Sequence, residues 1–280
     1  MNRELGELGY CRAGNAPVLA RAALHAWEEP IISGSSGSGA IFFSHCSLGC
    51  TYCQNSTISH GSVGEEVSSS RIADIMLRLE REGAHNINFV TPTHYAPSVI
   101  EAVRLAREYG LTLPIVYNTA SYDTVKTIRA LSGTVDIYLP DLKYYRAKTA
   151  GELSFAENYR KTALLAIDEM VRQQPEPVIA GGLMKRGVIV RILLLPGHVA
   201  EAKLNLKYIY ERYGDNVYIS LMSQYTPMPG MKPPLDRRVT RAEYNELLSY
   251  AAEMGITRAF TQEISSSVKS YIPAFDLTGI

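Results

Sequence analysis

Short apolar runs alternate with amphipathic helical stretches along most of this chain of 280 residues. The apolar runs predict strands at residues 40–43, 88–91, 114–117, 135–139, 188–195, 217–222 and 259–261. Apolar residues at the spacing of one helix face predict helices at residues 70–81, 98–109, 122–131, 155–172, 200–213 and 241–254. Strands that alternate with helices of this length form βαβ units and a parallel sheet. The pattern predicts an α/β fold with a barrel of six units; an open doubly wound sheet is the alternative.

This alternation begins at residue 40, and the residues before it show no clear period. The stretch 17–27 is mostly apolar but is interrupted by Arg21 and His25, and residues 33–39 are all serine or glycine. A serine- and glycine-rich segment of this kind is flexible and forms turns. We therefore predict an N-terminal extension at 1–39 and a barrel domain with a C-terminal tail at 40–280.

Charge and hydropathy narrow the range of partners. The chain has 28 basic and 28 acidic residues, so bulk charge gives no support to binding of nucleic acid or of a membrane surface. No apolar stretch approaches the roughly 20 residues that span a bilayer. The first residues carry charges before any apolar run, unlike a secretory signal. These features predict a cytoplasmic protein.

Three of the four cysteines, Cys46, Cys50 and Cys53, are grouped directly after the first predicted strand. In a reducing compartment such a group predicts metal ligation rather than disulfides. The end of a barrel strand is also where active sites collect. A four-iron cubane normally takes four cysteines, so three would leave one iron open to a small molecule. Open positions of this kind mark catalytic metal sites.

Zinc is the alternative metal for this group. Three cysteines with His45 or His60 could form a structural zinc site, although zinc sites usually use two separated cysteine pairs and the sequence has no second pair. The fourth cysteine, Cys11, is predicted to be structural. Zinc ligation would indicate a binding module, and a cluster without a substrate would indicate a one-electron carrier.

The C-x3-C-x2-C spacing, with Tyr52 before the last cysteine, resembles the signature of the radical S-adenosylmethionine (radical SAM) enzymes. This resemblance implies a partial (β/α)6 barrel of the TIM type. It also implies a [4Fe–4S] cluster on the three cysteines, with S-adenosylmethionine bound at the open iron. Reduction would cleave the cofactor to methionine and a 5′-deoxyadenosyl radical. Tyr52 would lie against the adenine.

Further segments are similar to the activating enzymes of glycyl-radical enzymes, and within them to relatives of pyruvate formate-lyase activating enzyme. These segments are Cys53-Gln54-Asn55, Asp141-Leu142-Lys143 and Leu195-Pro196-Gly197, together with Arg191. The similarity implies a glycyl-radical enzyme as the protein substrate and an electron donor such as flavodoxin or ferredoxin. The alternative within the same chemistry is a small-molecule or RNA substrate.

Charged residues at the predicted strand ends are candidates for binding the cofactor. Lys143 could meet the cofactor carboxylate, and Asp141 could bind a cation or a ribose hydroxyl. Arg191 lies inside an apolar run, and arginine is almost never fully buried without a partner. We therefore predict that Arg191 points into a polar barrel interior, where it pairs with Asp141 or with the cofactor carboxylate.

One segment departs from the pattern of these enzymes. After the second strand they usually carry Gly-Gly-Glu-Pro, which takes the cofactor amine, whereas this chain has Thr91-Pro92-Thr93. Thr91 and Thr93 can accept hydrogen bonds but supply no carboxylate, so the partner of the amine stays open. Asn118 ends the third strand and could contact the ribose. Gln224 follows the sixth strand and is also expected at the catalytic face.

Overall fold

A computed structural model describes residues 6–61, 63–262 and 273–280 of the chain. The strands are β1 (Val18–His25), β2 (Ser38–Phe43), β3 (Glu65–Glu66), β4 (Ile87–Val90), β5 (Ile115–Thr119), β6 (Ile137–Pro140), β7 (Val178–Ala180), β8 (Leu183–Leu193), β9 (Tyr218–Met222) and β10 (Ala259–Thr261). The α-helices are α1 (Pro30–Ser33), α2 (Ser56–Ser59), α3 (Ser69–Arg81), α4 (Ala96–Glu108), α5 (Val125–Ala130), α6 (Ala147–Ser154), α7 (Tyr159–Gln173), α8 (Val199–Tyr213) and α9 (Arg241–Glu253).

The strands of the described residues form one curved sheet in the order β10-β9-β8-β6-β5-β4-β2-β1-β3, with β7 paired to β8. All neighbours from β2 to β10 along this order are parallel. Helices connect successive parallel strands, as parallel pairing requires. The strands β1, β3 and β7 are antiparallel additions. This arrangement confirms the predicted partial TIM-type barrel.

Side-chain patterns explain why the predicted elements form. In α3, Ile72, Ile75, Met76 and Leu79 are all buried, and Ser68 caps the helix by accepting from the backbone N–H of Arg71. All four residues of β4 are buried because strands of a parallel sheet are covered on both faces. No helix in the described part of the chain is long and apolar enough to cross a membrane.

The structure adds elements that the sequence pattern did not reveal. The segment predicted as an N-terminal extension contributes β1, which pairs along the outer edge of β2. The helix predicted at 155–172 is α7, which begins four residues later, at Tyr159. A helix that was not predicted, α6, precedes it and is capped at its C-terminus by Phe155, which adopts the left-handed conformation with φ of 54°.

Candidate active site

The loop that carries Cys46, Cys50 and Cys53, here called the cysteine loop, follows the C-terminal end of β2. Hydrogen bonds anchor it on both sides. His45 adopts a positive φ of 70°, and its backbone N–H donates to the carbonyl of Ile58 at 2.7 Å. On the other side, the backbone N–H of Thr51 donates to the carbonyl of Leu153 in α6 at 2.9 Å. These bonds hold the loop against the barrel rim independently of any metal.

Each of the three cysteine sulfurs accepts a hydrogen bond from a different part of the chain. The backbone N–H of Leu48 donates to Cys46 at 3.4 Å. The hydroxyl of Ser154 donates to Cys50 at 3.0 Å, and the hydroxyl of Ser59 donates to Cys53 at 3.2 Å. Donors aimed at sulfur stabilise the thiolate form that a metal requires, and hydrogen bonds to the sulfurs also tune the potential of an iron–sulfur cluster.

Burial of the cysteines favours their neutral form when no metal is bound. Burial raises the pKa of Cys46 to about 12, and the nearby Cys50 adds to the effect. Burial also raises the pKa of Cys53. Because thiolates are the ligands, metal binding releases protons from these thiols. The positive charge of the metal then offsets the cost of burying the thiolates.

The three thiols are candidate ligands for a cluster. Within residues 6–61, 63–262 and 273–280, no three His, Cys, Asp or Glu side chains converge on a position that could hold one metal ion. A cubane takes one cysteine at each iron, so its ligands need not converge on one point. The three thiols, each with a hydrogen-bond donor to its sulfur, fit the ligands of a [4Fe–4S] cluster.

A cavity of about 460 Å³ extends from the cysteines into the barrel. All three cysteines line it, as do the predicted residues Thr91, Asn118, Asp141, Lys143, Arg191 and Gln224. A cavity of this size falls within the range of small-molecule sites. The structure therefore brings the predicted metal ligands and most of the predicted cofactor ligands onto one surface.

Asp141 joins the two predicted cations of this cavity. It follows β6 directly, and its Oδ2 accepts from the ammonium of Lys143 at 2.7 Å. Its Oδ1 accepts from Nε of Arg191 at 2.8 Å. Burial alone would raise the pKa of Asp141, but the charges of Arg191 and Lys143 hold it below its usual value. The carboxylate therefore stays ionised and fixes both cations, as predicted for Arg191.

Arg191, on β8, is 9% exposed and bonds side chains from three other segments of the chain. Besides Asp141, it donates from Nη2 to the side-chain oxygen of Asn118 on β5, and from Nη1 to Oε2 of Glu28 at 3.3 Å. Lys143 keeps more of its donors available, because Asp141 is the only acceptor of its ammonium among the described residues. Arg191 thus organises the barrel interior, while Lys143 is better placed to receive a further anion.

The remaining predicted residues have distinct positions. Thr91 has a φ of 58°, which is strained for a β-branched residue and often marks a functional turn. Among the described residues, Thr93 is not part of the cavity lining. Its hydroxyl lies 3.2 Å from that of Thr119. The backbone carbonyl of Gln224 accepts from the amide of Gln54 at 2.7 Å, so this strand end is tied to the cysteine loop. Their contacts with a cofactor stay predictions.

Tyr52 is part of the cysteine loop, and its side chain is buried. It is 5% exposed, and it is absent from the described lining of the cavity. Its hydroxyl lies 2.7 Å from that of Tyr144, which in turn is hydrogen-bonded to Ser154, the donor to Cys50. Tyr52 therefore belongs to a hydrogen-bonded chain that ends on a cysteine sulfur. Its contact with adenine stays a prediction.

Sequence reasoning missed two groups of residues in this site. Glu28 and Glu29 line the cavity from the chain before residue 40, where no period was visible. Ser59 and Ser154 donate to the cysteines from segments far apart in sequence. The adjacent acids before Pro30 were the one available signal for the first pair. Nothing in the sequence marked the serines.

The model of the Radical SAM superfamily matches residues 40–201 of the chain. The uncharacterized protein MJ0674 of Methanocaldococcus jannaschii is 27% identical over 271 residues, which cover 91% of this chain and 72% of that protein. Because the family model matches residues 40–201, the similarity to this relative extends beyond the matched region.

Solved structures show the same fold at low identity. Methylornithine synthase (PylB) is 16% identical with a TM-score of 0.56, over 86% of this chain and 71% of that one. HydG, a maturase of the [FeFe]-hydrogenase, is 15% identical with a TM-score of 0.55, over 79% of this chain. The protein anSMEcpe, solved with bound AdoMet, is 12% identical with a TM-score of 0.55, over 78% of this chain. The chain spans 50% of HydG and 61% of anSMEcpe.

Proposed function

The chain belongs to the radical SAM superfamily, and we propose that it is an activating enzyme that abstracts a hydrogen atom from a glycine of a partner protein. Members of the family bind a [4Fe–4S] cluster and S-adenosylmethionine. The observation that carries the proposal is one cavity that joins Cys46, Cys50 and Cys53 to the Asp141, Lys143 and Arg191 network.

Different residues of the chain would hold the cluster and the cofactor. The three cysteines would hold the cluster, with Ser59, Ser154 and the backbone of Leu48 donating to their sulfurs. When bound and reduced, the cluster and S-adenosylmethionine supply a 5′-deoxyadenosyl radical.

Lys143 would take the cofactor carboxylate, since its ammonium has donors beyond the one given to Asp141. Arg191 acts through Asp141, which it holds ionised and in place. Asn118 is fixed by Arg191 and so presents a set orientation to the cavity. Charged partners in a buried cavity make these contacts stronger than they would be in water.

The assignment of a protein glycine as the target draws on two features. The segments 53–55, 141–143 and 195–197 are similar to those of activating enzymes, and the first two line or adjoin the cavity. The segment that follows Gln224 is irregular and rich in proline and methionine, with Pro229 and Gly230 exposed. Methionine adapts to irregular partners, and proline limits the entropy lost on docking. In the proposed reaction, the glycine Cα would lose a hydrogen atom to the cofactor-derived radical, which would leave a glycyl radical and 5′-deoxyadenosine.

The test is to incubate the reconstituted, reduced enzyme without oxygen with S-adenosylmethionine and candidate glycyl-radical proteins from the same cell. The expected result is a doublet electron paramagnetic resonance signal on the partner, with oxygen-dependent cleavage of its chain at one glycine. Cys50→Ala is the matched inactive enzyme. A partner glycine changed to alanine should abolish both the signal and the cleavage.

Two outcomes would contradict the proposal at different levels. If deoxyadenosine forms but every candidate protein stays silent, and a small molecule or an RNA stimulates its release, the substrate assignment is wrong. If no deoxyadenosine forms from enzyme that holds its iron, the chain does not act as an activating enzyme.

A further inference from the structure

Glu28 and Glu29 form the floor of the cavity, at the end of the barrel opposite the cysteines. The strand β1 runs antiparallel to β2, so His25, which ends β1, pairs with Ser38, which begins β2. The cysteine loop follows the other end of β2, after Phe43. The segment that follows β1 therefore enters the barrel from below, and the cavity is lined both by this segment and by the cysteines.

Glu28 is fully engaged by donors from three strands. Its Oε1 accepts from the side-chain amides of Asn88 at 2.9 Å and Asn118 at 3.3 Å. Its Oε2 accepts from Arg191 at 3.3 Å. These contacts hold Glu28 in place as a structural part of the floor and leave little capacity for a ligand.

Glu29 differs from Glu28 because one of its oxygens lacks a partner. The residue is 7% exposed and lines the cavity, and its Oε2 has no hydrogen-bond partner in the described structure. Buried polar atoms are nearly always hydrogen-bonded, so this exception needs an explanation. The atom is an acceptor, and the group that would satisfy it is a donor.

The hydrogen-bonded ion pairs of the cavity, among the described residues, do not include Glu29. The described lining holds three carboxylates, on Glu28, Glu29 and Asp141, and two permanent cations, on Lys143 and Arg191. Asp141 bonds both cations, and Glu28 bonds Arg191. Burial raises the pKa of Glu29, and the charge of Arg191 opposes this rise. The hydrogen bonds of Arg191 go to Asp141, Glu28 and Asn118 instead. A bound cation would offset the cost of burying this carboxylate.

We propose that the cavity floor is a substrate subsite, in which Glu29 receives an alkylammonium or guanidinium group. This inference rests on the proposed radical chemistry and names the chemical class of its substrate. The cofactor's own amino group is not the expected occupant, because the resemblance places the methionyl part of the cofactor at the open iron, at the cysteine end of the cavity. A substrate that reaches the floor with its cationic end would present its other end to the cofactor. The cation could belong to a free amine or to a basic side chain of a protein substrate.

The test measures binding to the reconstituted enzyme, with S-adenosylmethionine present, by anaerobic calorimetry. Methylguanidine and its neutral counterpart methylurea probe a free cation. A glycine-containing hexapeptide with one arginine, and the same peptide with citrulline, probe a basic side chain. The wild-type enzyme is expected to bind one cationic probe at least about tenfold more tightly than its neutral counterpart, as charge-assisted hydrogen bonds imply.

Glu29→Gln should abolish that preference, whereas Glu253→Gln on the exposed face of α9 should preserve it. The affinity for S-adenosylmethionine should be the same in all three proteins. Thermal unfolding separates this role from a structural one: Glu29→Gln should leave the midpoint unchanged or raise it, because it removes a buried carboxylate without a bonded cation. A residue that only supported the fold would lower the midpoint when changed.

Iron content and deoxyadenosine release, measured on the same samples, report on the radical chemistry independently. If both hold while cationic and neutral probes bind the wild type equally, the subsite is absent and ordered water satisfies Glu29. The same conclusion follows if neither probe binds, or if Glu29→Gln keeps the preference. Loss of cofactor binding in Glu29→Gln would overturn the proposal by assigning this carboxylate to the cofactor amine. Absence of iron or deoxyadenosine in the wild type would instead contradict the radical chemistry itself.

Discussion

Changing Arg191 to methionine tests whether the barrel interior depends on this guanidinium. Arg191 is 9% exposed and bonds Asp141 at 2.8 Å, Glu28 at 3.3 Å and the side chain of Asn118. Methionine has a similar length but no charge, so two carboxylates lose a cation. Removing one member of a buried ion pair costs about 3–5 kcal/mol. For a domain of this size, that corresponds to a midpoint lower by roughly 6–20 °C.

The loss should depend on pH because Glu28 then lacks its cation. Burial raises the pKa of Glu28, and Arg191 is the main group that opposes this rise. Without Arg191 the pKa of Glu28 in the folded state lies further above its value in the unfolded chain. A carboxyl with a raised pKa destabilises the fold increasingly as pH rises through that pKa. Arg191→Met should therefore be closer to the wild type in stability at about pH 6 than at about pH 8.

Urea unfolding under anaerobic conditions, followed by circular dichroism at both pH values, measures these differences. The double variant Arg191→Met with Glu28→Gln removes the unpaired carboxylate and should recover part of the loss, with a coupling energy of about 0.5–3 kcal/mol. The reasoning is refuted if Arg191→Met loses less than about 1 kcal/mol, since this would place it among ordinary surface substitutions. It is equally refuted if the second change gives no recovery.

Three further substitutions test the cysteine end of the cavity. Cys50→Ala should prevent retention of about four irons per chain, the cubane stoichiometry, whereas Cys11→Ala should keep them; zinc in place of iron on anaerobic reconstitution would contradict the cluster assignment. Lys143→Ala should weaken S-adenosylmethionine binding by at least about tenfold at unchanged iron content, because a charge-assisted bond to the carboxylate is lost, and equal affinity by calorimetry would exclude that contact. Ser154→Ala should shift the cluster to a more negative potential in a redox titration, because a donor to the Cys50 sulfur is removed; an unchanged or more positive potential would show that this bond does not act on the cluster.

Local patterns of the sequence were sufficient for the parallel part of the barrel. The helix predicted at 70–81 is α3, and the strand predicted at 217–222 is β9 with one residue fewer. The buried residues of these elements recur at a regular period along the chain, so a short window of sequence is enough to predict them. The antiparallel strand β1 was missed because its pattern is interrupted by Arg21, whose guanidinium pairs at the surface with Asp276, far along the chain.

The same distinction applies to the site. The spacing of Cys46, Cys50 and Cys53 is a local signal, because one short loop must wrap one cluster. It predicted the metal ligands and identified the superfamily. The pairing of Arg191 with Asp141 followed from an apolar run that could not bury a lone charge.

Only the tertiary structure could bring in residues that act from other elements. Ser154 reaches Cys50 across a sequence separation of 104 residues, and Glu28 reaches Arg191 across 163. No local rule links such positions, because their contact depends on how the sheet curves and on where α6 and β1 pack against it. The sequence by itself determined the βα order of the barrel and predicted the ligands of the cluster. The fold alone decided which donors face the sulfurs, and that two carboxylates close the far end of the cavity.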